Sequence, residues 1–147
     1  LLVHPGPPGI EDWTGRPGWW APVVPYVAQL NAAWWAWTEG GRERFPRLPV
    51  CFAALAGLGP LHGERQRARG GAAGTVDPLT FVETSTYGTL AVDAVVRVLG
   101  IDVVCRGSDR PYAAPVEPRL GSEAALSAIR STNPGRLLAH VPQEVNA

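Results

Sequence analysis

Apolar residues in this chain alternate between short β-branched runs and longer stretches with helical spacing. Leu1 to His4 ends at Pro5-Gly6-Pro7-Pro8-Gly9, which predicts a strand that stops at His4 and a stiff loop after it. Val23, Val27, Leu30, Trp34 and Trp37 recur at intervals of four and three. That spacing predicts a helix over 22–39, started near Pro22 and Pro25 and ended by Gly40-Gly41. Residues 42–45 follow as a charged helical turn. Val50 to Leu55 predicts a second buried strand, broken at Gly57-Leu58-Gly59-Pro60, and 61–69 a short helix with His62, Glu64, Arg65, Arg67 and Arg69. Gly70-Gly71-Ala72-Ala73-Gly74 is a flexible spacer inside the long connection from Pro60 to Pro78.

Leu79 to Ser85 predicts a third strand, rich in β-branched and aromatic residues. Thr89 to Leu99 predicts a helix with Ala91, Ala94, Val95 and Val98 on one face and Gly100 as its stop. Val103-Val104-Cys105 predicts a fourth strand, leading into the polar tip Arg106 to Tyr112. A helix near 122–130 starts at Ser122 as N-cap with Glu123 in its first turn, and Asn133-Pro134 opens another short helix.

Strand and helix thus alternate four times, the pattern of parallel strands joined by right-handed crossovers. The expected fold class is α/β: one unit over 1–147, with a long loop at 57–78 and a tail at 140–147. Four such units are about half of an eight-stranded TIM-type barrel of roughly 250 residues. Half a barrel is expected to leave two open sheet edges and an uncovered inner face, which a partner or the missing half would cover.

Composition narrows the function classes. The 147 residues carry no net formal charge and are 46% hydrophobic, which fits one globular unit and not a nucleic-acid-coating chain. All thirteen basic residues are Arg, and Met is absent, so Leu1 is not a translation start and the sequence is expected to be part of a longer protein. Glu64 interrupts the Arg65, Arg67, Arg69 group, which argues against a nucleic-acid patch. No apolar run approaches the roughly 20 residues that span a bilayer. Cys51 and Cys105 lie in apolar strands; two places apart in one sheet, their backbones would be about 9 to 10 Å from each other, beyond disulfide reach. Free thiols point to a cytoplasmic setting.

The residue that first stands out for chemistry is Asp109, because chemistry in parallel α/β folds sits where strands end and βα loops begin. The alternative for Asp109 is an Asx-type turn ahead of Pro111. His4 ends a strand, where an imidazole either binds a metal or donates to a backbone carbonyl. Glu83 points either into the barrel or into the helix layer, and period-two alternation does not say which. His62 and His140 read as surface, and Trp34, Trp35 and Trp37 as helix-packing residues.

Val3-His4-Pro5, Phe45-Pro46-Arg47-Leu48-Pro49-Val50-Cys51-Phe52-Ala53, Glu83-Thr84-Ser85-Thr86-Tyr87-Gly88, and Leu99-Gly100 followed by Gly107-Ser108-Asp109-Arg110-Pro111-Tyr112 come in the order of one family's landmarks. Together they resemble the amidohydrolase-related family, in its aminocarboxymuconate-semialdehyde decarboxylase-like branch, over strands five to eight of its barrel. The resemblance implies a metal-dependent hydrolase or non-oxidative decarboxylase acting on a small carboxylated cyclic or aromatic substrate. It implies a divalent metal, zinc first and manganese second, with His4 and Asp109 as ligands and Asp109 also moving a proton. Trp19 or Trp20 would line the substrate pocket, and Arg65 would hold a substrate carboxylate. Its partners would be that substrate and the missing N-terminal half-barrel, with a homo-oligomer in addition. One departure stands out: Ala54 occupies the place after Phe-Ala where the family commonly has a histidine. The other function class that this substitution suggests is a catalytically degenerate binding or assembly subunit.

Overall fold

The computed structural model describes residues 1–6, 15–72 and 76–139. His140 and the tail at 140–147 lie outside the described residues. Four parallel strands form one sheet in sequence order: β1 (Leu2–Val3), β2 (Val50–Phe52), β3 (Thr80–Glu83) and β4 (Val104–Cys105). In register, Leu2 faces Cys51, Cys51 faces Phe81, Val82 faces Val104 and Glu83 faces Cys105. Helices α1 (Trp20–Val23), α2 (Pro25–Ala36), α3 (Arg42–Arg44), α4 (Gly63–Ala68), α5 (Thr89–Leu99), α6 (Glu123–Ser127) and α7 (Asn133–Leu138) fill the connections.

Period-two alternation divides the strand residues between two faces. Val50, Phe52, Val82 and Val104 form the main core with Trp34 from α2, Val92 and Val95 from α5, and Ile129. Cys51, Phe81 and Cys105 lie on the other face, where Leu137 of α7 packs against them. Trp34 meets Phe52 edge-on, with ring centroids 5.4 Å apart, a favoured geometry for aromatic pairs. Each fully buried Val, Leu or Phe contributes about 1.5–3 kcal/mol relative to exposure, so the larger cluster dominates the fold.

Several boundaries differ from the expectations, each for a local reason. Gly40-Gly41 does not stop the first long helix: α2 runs into a π-helical turn, Trp37–Gly41, and then α3. Gly41 keeps helical dihedrals, and a β-carbon there would overlap the Trp37 indole, so this glycine serves close approach of a ring. The indole Nε1 then donates to Thr80 Oγ1 at 2.9 Å. The second strand ends at Phe52, not Leu55. From Ala54 to Leu58 every residue has positive φ, between 46° and 60°, forming a left-handed turn that passes into a 3-10 segment ending at His62. Ala54, Leu55, Ala56 and Leu58 each carry a β-carbon there, at a cost of about 1–2 kcal/mol per residue. Burial of Leu55 and Ala56 against α2 offsets part of it. At Gly57 a β-carbon would overlap the carbonyl oxygen of Val27, so the turn lies directly on the α2 backbone.

The helix at Thr89–Leu99 matches expectation, with Gly100 at φ 80° closing it. Ser122 caps α6 by accepting from Ala125 N at 3.2 Å. Asn133 is not a cap for a separate helix. Its dihedrals are helical, a π-helical turn (Ala128–Thr132) joins α6 to α7, and its buried amide donates to Ile101 O at 2.8 Å and Val104 O at 2.7 Å.

Those bonds also revise the expectation of two open edges and a bare inner face. Cys105 O accepts from Thr84 N on the β3 side, so Val104 O points to the outer edge, where Asn133 meets it. Arg106 N donates to Ile129 O at 2.8 Å just beyond. Cys51, Phe81 and Cys105 are buried on the inner face, with the Arg136 guanidinium 5.7 Å from the Phe81 ring centroid. The β1 edge stays exposed, with Leu2 at 62%.

Candidate active-site rim

The C-terminal ends of the four strands form one rim, and Glu83 lies at its centre. It shares the inner face with Phe81, two residues earlier, so its carboxylate is on the barrel side and not in the helix layer. Oε1 accepts from Ala54 N at 2.6 Å, and Oε2 accepts from Ser85 N at 2.8 Å and Ser85 Oγ at 2.6 Å. One acid therefore ties the exit of β2 to that of β3. At the exit of β4, a β-carbon on Gly107 would overlap Glu83 Oε2 and come within 2.8 Å of Ser85 N. Gly107 N donates to the buried Thr84 Oγ1 at 3.1 Å, which completes the stitching.

Asp109 follows two residues later, with φ 53°. Its own carbonyl closes a turn by accepting from Tyr112 N at 2.9 Å and Ala113 N at 3.0 Å. The turn is made by the backbone and not by an Asx bond. Among the described residues the Asp109 carboxylate has no hydrogen-bond or ion-pair partner, and the residue is half-buried. Left-handed backbone is less costly for Asp than for most residues, which suits this acid to a turn that presents its side chain.

His4 sits just past β1 and is exposed, with Nδ1 2.7 Å from the Pro5 carbonyl oxygen. A carbonyl only accepts, so that nitrogen carries the proton, and in the neutral ring Nε2 is the nitrogen with a free lone pair. His4 and Asp109 leave opposite outer strands of the sheet, about 14 Å apart across three strand spacings.

The other expected site residues stand apart from this pair. Trp19 is 57% exposed and tilts against Trp20 at 5.8 Å, with Arg16 stacked 4.4 Å from the Trp20 ring centroid. Arg65 lies on the exposed face of α4 and shares no hydrogen bond or ion pair with His4, Asp109 or Trp19. His62 is exposed, as its polar neighbours implied. Ala54 contributes its backbone N–H to the rim and no titratable group.

His4 Nε2 and the Asp109 carboxylate are donors of the right type for a divalent metal. They are too few for a complete site: among the described residues no group of three or more His, Cys, Asp or Glu side chains is placed to hold one. Burial first, then the neighbouring Cys105, pushes the Cys51 thiol up to about 12; burial, then Glu83, pushes Cys105 to about 11. Both are free cysteines and protonated at neutral pH, so neither is a thiolate donor.

The bracing contacts of Glu83 and the close approach of Gly107 are the features of the rim that the sequence did not disclose. A signal for the left-handed turn was present in the small residues between Ala53 and Pro60.

No protein-family model matches this sequence, and no curated protein sequence matches it. Solved structures do. A 2,6-dihydroxybenzoate decarboxylase from Rhizobium superposes with a TM-score of 0.71 at 19% identity, covering 94% of this chain and 50% of that one. A 5-carboxyvanillate decarboxylase from Sphingomonas paucimobilis gives 0.68 at 18% identity, covering 95% and 49%. A dihydroxybenzoic acid decarboxylase from a Polaromonas species, solved with bound manganese and the inhibitor 2-nitroresorcinol, gives 0.71 at 16%, covering 94% and 49%. This chain is similar in fold to these decarboxylases and spans about half the length of each. Its α/β architecture is that of half a (β/α)8 barrel. No helix among the described residues is long and apolar enough to cross a membrane.

Proposed function

We propose that this chain is the C-terminal half of a metal-dependent amidohydrolase-type enzyme, a hydrolase or non-oxidative decarboxylase of small carboxylated aromatic or cyclic compounds. The observation that carries the reading is the Asp109 carboxylate on the rim where β4 ends, without a partner among the described residues, in a half-barrel fold shared with aromatic-acid decarboxylases. Zinc is the favoured metal, with manganese second. When bound, such an ion polarises a substrate oxygen or lowers the pKa of a water. His4 Nε2 and Asp109 would hold it from this chain, and the other ligands would come from the remaining half of the barrel. Asp109 would also accept and return the proton at its carboxylate. Trp19 would offer an aromatic face to the ring, and Arg65 a fork for a carboxylate. The two free, buried thiols fit a reducing compartment, and the cytoplasm is proposed.

The N-terminal half-barrel is the proposed partner, and the exposed β1 edge its docking line. A homo-oligomer of complete barrels is a further expectation. A second reading, a catalytically degenerate binding or assembly subunit, is favoured by one observation: Ala54 carries no side chain able to transfer a proton or bind a metal.

The test is a screen of hydroxylated benzoates and related cyclic acids for CO2 release or ring opening by the full-length protein supplied with Zn2+ or Mn2+. Turnover that falls at least 100-fold in Asp109→Asn supports the enzyme reading. Tight binding of those acids without turnover supports the degenerate one.

A further inference from the structure

We propose that Glu83, which the activity reading above does not use, is the positioning residue of the rim. Its two carboxylate oxygens receive three donors from two strand exits: Ala54 N, Ser85 N and Ser85 Oγ. Its Oε2 also lies where a side chain on Gly107 would have to go, so the third exit is shaped against the same carboxylate. Each contact has a consequence beyond its own bond. Ala54 is the first residue of the left-handed turn, and that turn lies against the α2 backbone at Gly57, with Gly59 just beyond it against Trp34. Gly107 is two residues before Asp109, so the path that lets Asp109 adopt φ 53° begins at the Glu83 carboxylate.

The chemistry of the contacts requires a carboxylate and not an amide. Both oxygens of Glu83 accept, whereas Gln offers one acceptor and an NH2 group, so Glu83→Gln would set a donor against a donor at Ala54 or at Ser85. Shape is conserved and the acceptor pattern is lost. Loss of the brace would release the turn after β2 and loosen the Gly107 to Asp109 exit together, since one side chain bonds the first and packs against the second.

The experiment is amide hydrogen exchange on the full-length protein for wild type, Glu83→Gln, Ser85→Ala and the core control Val95→Ala, with Mn2+ affinity measured on the same samples. Ser85→Ala removes one donor and keeps the carboxylate, so it answers the question if Glu83→Gln fails to fold. The proposal expects exchange at 54–58 and 107–113 to rise at least tenfold in Glu83→Gln, and less in Ser85→Ala. The control, whose Val95 shares a core with Leu55 and Ala56, would leave 107–113 as in wild type. It also expects Mn2+ affinity to fall at least tenfold in Glu83→Gln but not in Val95→Ala. Unchanged exchange at 107–113 would overturn it, and so would altered exchange with wild-type Mn2+ affinity, which would leave Glu83 a local brace only. The affinity arm rests on the reading of His4 and Asp109 as metal ligands. If the wild type binds no Mn2+, that reading fails, and exchange at 107–113 alone decides the proposal.

Discussion

The backbone N–H of Ala54 donates to Glu83 Oε1 at 2.6 Å, so the residue that stands in place of an expected histidine joins the next strand through its main chain. Ala54 holds φ 46°, where a β-carbon is unfavourable. Ala54→Gly is therefore expected to raise stability by about 0.5 kcal/mol, the relief of left-handed strain exceeding the added entropy of the unfolded chain. Thermal unfolding checks it. A loss of stability, the usual outcome of Ala→Gly, would show that the turn is not strained.

Gly107→Ala is expected to destabilise by about 2 kcal/mol, because the new β-carbon overlaps a carboxylate that three hydrogen bonds hold in place. Denaturant titration measures this. Gly121→Ala, where φ is 75° and no atom lies within 4 Å, introduces backbone strain without overlap, whereas Gly107→Ala introduces overlap without positive φ; the Gly121 variant should cost less.

Opposite the rim, Arg42 organises the start of β3. Its Nε meets Asp77 Oδ2 at 2.6 Å, its Nη1 reaches Leu48 O at 2.8 Å, and its guanidinium stacks 4.8 Å from the Trp37 ring centroid. Burial favours the neutral form of Asp77, but hydrogen bonds from Thr80, Leu79 and Arg42, with the Arg42 charge, outweigh it and hold the carboxyl below its usual range. The stability so gained is present above about pH 4 and lost as pH falls through the lowered value. Arg42→Ala should cost about 2 kcal/mol at pH 7 and less at pH 3, as urea midpoints at the two pH values would show.

The buried thiols give the opposite dependence. With Cys51 at about 12 and Cys105 at about 11, the unfolded chain ionises first, so their contribution is full below about pH 9 and disappears as pH rises toward those values. Folded protein at pH 8 should react with iodoacetamide at least 100-fold more slowly than unfolded chain, and stability should fall between pH 8.5 and 11. Rapid labelling of either thiol in the folded state would contradict the burial of the inner face.

Much of this fold was legible because its signals are local. The α5 helix carries a clean apolar face and a glycine stop, and both ends were found. Each of the four strands was found as a β-branched or apolar run, although β2 is shorter than its sequence suggests. What escaped depends on distant neighbours. Gly41 looked like a helix stop, and only the Trp37 ring shows why a glycine is needed there. Asn133 looked like a cap, yet its amide crosses to Ile101 and Val104 some thirty residues back. At the rim, the positions of Asp109 and His4 past their strand ends were legible, whereas the contacts of Glu83 depend on register with β2 and β4, which no single-strand pattern encodes.

The most direct test is the metal content of the full-length protein, purified without chelators, for wild type, His4→Ala and Asp109→Ala. The account predicts about one zinc or manganese per chain in wild type, lost in both variants with folding intact by circular dichroism. A well-folded wild type that holds no metal after incubation with Zn2+ or Mn2+, or variants that keep it, would contradict the metalloenzyme reading.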